Sequence, residues 1–119
     1  MKKAKGYVTC FLMVVPKKNM SAYKKIAKMF GEIVEKYGAL EYREFVQDDL
    51  PPKLYPALMK TKKNEVIITS IIGYKNKKHK DQVTKKVMND EKMKAMMNMK
   101  PLFDMSKMMY GGFKTFIEM

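Results

Sequence analysis

One cysteine, one histidine and one arginine stand in 119 residues, and each scarcity removes a class of function. A lone Cys10 excludes an intramolecular disulfide and fits a reducing compartment. It sits in an apolar run with no adjoining positive charge to stabilise a thiolate, so it reads as a small buried hydrophobe. His79 and one thiol leave a zinc or iron site almost no ligands, so no metal and no cofactor is expected. Asp48, Asp49 and Asp104 read as turn-capping residues. Arg43 as the single arginine argues against base readout, which leans on bidentate arginine and on aromatics set among basic residues.

Acidic residues are also few: 25 Lys and Arg against 12 Asp and Glu give a formal charge of +13. The lysines are spread along the whole chain and form no stripe. They read as a solvated coat that holds polyanions weakly and releases them in salt. Long hydrophobic runs are missing too. Lys2, Lys3 and Lys5 before the nine apolar residues Tyr7 to Val15 mimic a secretory signal. No small-residue cleavage site follows, only Pro16, Lys17 and Lys18, and the run is too short for a bilayer. It is expected to be a strand of a soluble, cytoplasmic protein without membrane contact.

What remains is an even alternation of elements with no linker or repeat, which predicts one domain over residues 1–119. A first strand spans Gly6 to Val15. A helix capped by Asn19 or Ser21 follows, its stripe of Tyr23, Ile26, Phe30, Ile33 and Tyr37 ending at Gly38. Ala39 to Gln47 alternates as an edge strand, with Tyr42, Glu44 and Val46 on one side and Glu41, Arg43 and Phe45 on the other. The connection from Leu50 to Asn64, with Pro51, Pro52 and Pro56, is long enough to be a binding loop or a partner-crossing arm. Glu65 to Tyr74 is a third strand. Asn76 caps a second helix carrying His79, Val83 and Val87, which breaks near Asn89 and Asp90 before a short tail with Met93, Met96 and Met97. A last strand runs from Met108 to Ile117, with Gly111 and Gly112 inside it marking a bulge or a close backbone approach.

This order predicts an α+β fold of the ferredoxin-like βαββαβ type: a four-stranded antiparallel sheet with two helices on one face. The first and third strands are apolar on both sides, whereas two helices cover only one. Each large aliphatic left wet forgoes roughly 1.5–3 kcal/mol. Sheet against sheet across a two-fold axis is the simplest cover, so a homodimer is expected.

Three segments carry a resemblance: Gly38 to Glu44 running on to Asp48 and Asp49, His79-Lys80-Asp81 through Lys86-Val87-Met88, and Phe103-Asp104 through Met108, Tyr110, Gly111, Gly112 and Phe113. In this order and spacing they resemble the YbaA-like family of bacterial proteins, a domain of unknown function numbered 1428. The resemblance implies the dimeric α+β barrel, two sheets closing around a shared interior, a scaffold that also carries small monooxygenases, isomerases and haem-handling proteins. Lysines beside His79 and at Lys107 stand where the family commonly has arginine, which weakens the transfer of a bidentate anion site.

The residues nominate one site. His79 is the side chain suited to proton transfer near neutrality, and Lys77, Lys78 and Lys80 crowd the positive end of its helix, where a bound anion is favoured. Tyr42, Glu44, His79 and Tyr110 are expected to line one pocket, with Glu44 and His79 catalytic and Tyr42, Tyr110, Lys77, Lys78 and Lys80 ligand-binding. Ser70, His79 and Asp81 lack the context of a nucleophile elbow. The eight methionines from Met88 to Met109 read as gap-fillers, not a copper site. The leading function is binding of a small polar or anionic organic compound, with acid–base chemistry open. A protein-interaction module is the alternative, and a weak nucleic-acid binder the third.

Overall fold

The computed structural model describes residues 6–51, 53 and 60–119. Lys2, Lys3, Lys5, Pro52, Pro56 and the arm 54–59 lie outside the described residues. The apolar run is a strand, β1 (Tyr7–Pro16). A one-turn 3-10 helix (Lys17–Asn19) leads into α1 (Met20–Lys36), followed by β2 (Glu41–Val46), β3 (Glu65–Tyr74), α2 (Lys77–Met88), α3 (Glu91–Met97), a second 3-10 turn (Met105–Lys107) and β4 (Met109–Lys114).

The sheet has the order β2-β3-β1-β4, every neighbouring pair antiparallel. The two doubly apolar strands, β1 and β3, occupy its centre, where each is hydrogen-bonded to a neighbour along both edges. Ile33 and Val34 of α1, Ile72 and Tyr74 of β3 and Val83 and Val87 of α2 form one buried cluster, and Met93 and Met96 of α3 pack on it. Three helical segments therefore share one face. No helix among the described residues is long and apolar enough to cross a membrane.

Local expectations divide. Asn76 caps α2 by accepting from the His79 main-chain N–H at 2.8 Å. Asp90 breaks the next helix from α2 and caps it, accepting from the N–H groups of Lys92 and Met93. Its other oxygen accepts from the Tyr37 hydroxyl at 2.7 Å, and this bond, with those amides, holds the buried Asp90 carboxyl below the usual carboxylate range. Asn19 is a correction. It occupies the N-cap position but makes no cap bond, because the preceding 3-10 turn delivers the chain in helical form and frees its amide to donate to the Leu102 carbonyl at 2.8 Å. The last strand is shorter than expected. Its last ladder pair is Lys114 with Tyr7, and Phe116 and Ile117 beyond it stand 93% and 72% exposed. Gly112 is a close approach: a Cβ there would overlap the Tyr7 hydroxyl.

On the face away from the helices, register places Phe113, Val8, Gly73 and Glu41 in one row, Gly111, Cys10, Ile71 and Arg43 in the next, and Met109, Leu12, Thr69 and Phe45 in the third. Val14 and Ile67 beyond them are fully buried under Leu50. The far end of this face is thus covered from within the chain, while Met109 and Phe113 stand more than half exposed.

Candidate functional site

A strand turns alternate residues to one side, so Tyr42 and Glu44 of β2 both face the helices. Register sets Glu44 opposite the buried Ser70. From above, Tyr23 in the first turn of α1 reaches down, and its hydroxyl lies 2.5 Å from Glu44 Oε1. The Tyr42 hydroxyl donates to the other oxygen, Oε2. Met13 Sδ lies 3.6 Å from the Tyr23 hydroxyl. Gly31 makes the arrangement possible: a Cβ there would stand 2.6 Å from Tyr42 Cδ2, so the ring packs directly on the helix backbone. Phe30 meets Tyr42 edge-on at 5.7 Å, and Phe103 meets Tyr23 edge-on at 6.1 Å.

The group closes one wall of a cavity of about 200 Å³ whose other walls include Phe11, Phe30, Met96 and Met108. A second hollow of about 280 Å³ shares Tyr23, Ile26, Met96 and Phe103 and runs on past Met97, Met99 and Met105. Met96 fills the interior as expected. Met97 does not, standing 57% exposed at this hollow, since a helix of seven residues has only a narrow buried side.

Both phenols titrate far above the ordinary range. For Tyr23 and Tyr42 alike, burial acts first, then the hydrogen bond to Glu44, then its negative charge. Tyr74 is raised by burial. Each phenol therefore stays protonated and spends its one proton on Glu44. Raised folded values mean that this stabilisation is complete below the unfolded phenol value of about 10 and is lost as pH rises beyond it. Absorbance titration at the phenolate band should show Tyr23 and Tyr42 ionising only with alkaline unfolding. Tyr23→Phe and Tyr42→Phe should each remove one tyrosine from that late step and none from the early one. Loss from the early step shows the ring to be accessible.

The expected single pocket is divided. Tyr42 and Glu44 are together, with Tyr23 as a third member. His79 lies elsewhere: its Nδ1 accepts from the Lys75 main-chain N–H at 3.0 Å, its ring meets Tyr74 edge-on, and Nε2 faces the Gly38 turn. Lys77 and Lys80 both pair with Asp81, at 3.5 and 3.4 Å, and Lys78 is exposed. The positive charge at this helix start thus has a carboxylate and an asparagine cap within the chain. Tyr110 stacks on Phe11 at 5.6 Å and shares a separate hollow of about 350 Å³ with Lys80 and Met93. Tyr23 was legible only as one member of an apolar stripe. A tyrosine rather than a phenylalanine there is the available signal, since a buried hydroxyl needs a partner.

Comparison with known proteins places the chain. The family model described as "Protein of unknown function (DUF1428)" matches residues 6–105. "Uncharacterized protein YbaA" of Escherichia coli strain K12 is 31% identical over 115 residues, spanning 94% of this chain and 97% of that protein. The YbaA protein of Shigella flexneri matches with the same identity and coverage. Among solved structures, a mutant of SnoaB, a cofactor-independent oxygenase from Streptomyces nogalater, is similar with a TM-score of 0.50 at 8% identity, covering 92% of this chain and 93% of that one. That likeness is one of fold alone. The sequence match over nearly the whole chain goes further: the protein belongs to the DUF1428 family, together with YbaA.

Proposed function

We propose that residues 1–119 form one ferredoxin-like domain that pairs with a second copy through the uncovered sheet face, and that each protomer holds a small organic molecule in the cleft beneath α1. Glu44 is the proton acceptor of that cleft. The observation that carries the reading is the Glu44 carboxylate, half-buried against aromatic walls and held at both oxygens by Tyr23 and Tyr42. A carboxylate that gives up part of its hydration needs partners in exchange, and here two phenol hydroxyls stand in place of a cation. A purely structural site is served as well by an apolar side chain, so the retained charge supports binding or catalysis.

The fold likeness to SnoaB adds that such a scaffold accommodates small-molecule chemistry without a cofactor. Lys77, Lys78, Lys80 and His79 support an anion site less well, because Asn76 and Asp81 already answer that helix end. Tyr110 and Lys80 flank the neighbouring hollow and belong to the binding reading only as its outer rim. A free, half-buried Cys10 supports a cytoplasmic location.

Native mass spectrometry of protein purified from its own host tests the reading. The expected species is a dimer with a small organic molecule on each subunit, and Glu44→Gln should lose that molecule while keeping the dimer. Unchanged loading in Glu44→Gln removes the carboxylate from the site. His79→Ala is the control, expected to retain the molecule.

A further inference from the structure

We infer that the molecule taken by this cleft is an organic cation, an amine or quaternary ammonium carried on a flat apolar body. The inference rests on the Glu44 cleft proposed above and names its ligand class. It follows from what the walls offer and what they have already spent.

The charge comes first. Ion pairs among the described residues join Lys36 to Asp90, Arg43 to Glu41, Lys77 and Lys80 to Asp81, Lys94 to Glu91 and Lys107 to Glu65. Glu44 has none of these partners. In a chain with 25 basic and 12 acidic residues a lysine is easily found for any carboxylate, and adjacent Arg43 points to the opposite face. Lys24 and Lys28 share a hollow of about 570 Å³ with Glu44 on its outer side, yet neither forms an ion pair with it, so the cation that completes this half-buried anion comes from solution on the inner side.

The donors come second. Each phenol has one proton, and both are committed to Glu44. Apart from the Ser70 hydroxyl, the side chains lining the inner cavity then present acceptors, thioethers and ring faces. Such a wall has little with which to hold a carboxylate or phosphate. Aromatic faces carry the negative end of the ring quadrupole and attract a cation within about 6 Å. Phe11, Tyr23, Phe30, Tyr42 and Phe103 are five rings that line the same cavity as the Glu44 carboxylate.

Orientation follows from the second hollow. Its far wall includes Lys100, which repels a positive head, whereas Met97, Met99 and Met105 adapt to an apolar body. The head goes to Glu44 and the body toward the methionines.

The test uses matched probes of one shape at pH 7: benzylamine, benzyltrimethylammonium, benzyl alcohol and benzoate, titrated against full-length protein by calorimetry and by NMR of the tyrosine rings. Both cations should bind at least about tenfold more tightly than the alcohol, and benzoate more weakly than the alcohol. Glu44→Gln should bring benzylamine to the affinity of benzyl alcohol. If that variant does not fold, Glu44→Asp withdraws the charge by one methylene and should lower the amine-to-alcohol ratio about fivefold. Equal binding of amine and alcohol by the wild-type chain overturns the cation assignment and leaves the cleft standing. Failure of all four probes to perturb Tyr23 or Tyr42 overturns the cleft, and this assignment with it.

Discussion

Gly31→Ala should destabilise the protein and disconnect Tyr42 from Glu44, although alanine is the better helix former. In an exposed helix interior the exchange gains about 1 kcal/mol. Here the new methyl meets ring carbons of Tyr42 at 2.6 and 2.8 Å. The ring is not a free end that swings aside. Phe30 abuts its edge and its hydroxyl is bonded to Glu44, so relief of the overlap shifts the β2 side chain as a unit. Overpacking of this kind costs about 1–3 kcal/mol, which offsets or exceeds the helical gain. A net loss near 1 kcal/mol lowers Tm by about 4 °C or more in a chain of this size. The Tyr42 phenol, freed from the carboxylate, should ionise earlier in the absorbance titration. Combining Gly31→Ala with Tyr42→Leu should recover stability, with a coupling of about 1 kcal/mol between the two sites. Full helical gain in the single variant, with an unchanged titration, means that the ring does not rest on Gly31.

Why Tyr42 and Glu44 were legible and Tyr23 was not is a matter of range. Period-two alternation sets the two β2 residues on one face, and the buried β-branched run of Glu65–Tyr74 has the bounds its sequence predicts. Asn76 caps as its position predicts, because capping acts over two or three residues, and the break expected near Asn89 and Asp90 is where Asp90 caps the next helix. The bond between Tyr23 and Glu44 spans 21 residues and depends on how α1 lies across β2, which periodicity does not encode. His79 shows the converse. It shares a four-residue spacing with Val83 and Val87, which are buried, and so reads as inward-facing. The ring does pack edge-on against Tyr74 of β3, but one turn before Val83 its Nδ1 takes the Lys75 amide and its Nε2 faces the Gly38 turn, away from Glu44. Asn19 and the end of β4 failed for a like reason. Leu102 claims the first, and the second ends at the pair of Lys114 with Tyr7.

Charging the uncovered face should split the proposed dimer while leaving each subunit folded. Ile71 lies in the middle of that face, between Cys10 and Arg43, and Phe113 lies beside Val8. Ile71 is half-buried and Phe113 is 59% exposed in the lone chain, so glutamate at either position still reaches water there. Between two sheets it does not, and an unpaired charge buried in an interface costs several kcal/mol, enough to weaken association by about a thousandfold or more. Ile71→Glu with Phe113→Glu should halve the mass seen by light scattering at micromolar concentration, with an unchanged circular dichroism spectrum. A wild-type chain that scatters as one subunit, or a doubly charged variant that stays paired, removes this face as the interface. Salt supplies an independent sign. Each copy carries +13, so like charges oppose pairing, and shortening the screening length to about 10 Å at 0.1 M should strengthen the dimer. A complex with nucleic acid moves the other way, losing affinity as salt rises. The central rows of the face offer only apolar and small side chains, with Glu41 and Arg43 confined to the β2 edge, so it is the repulsion between the lysine coats, not an attraction across the interface, that salt removes.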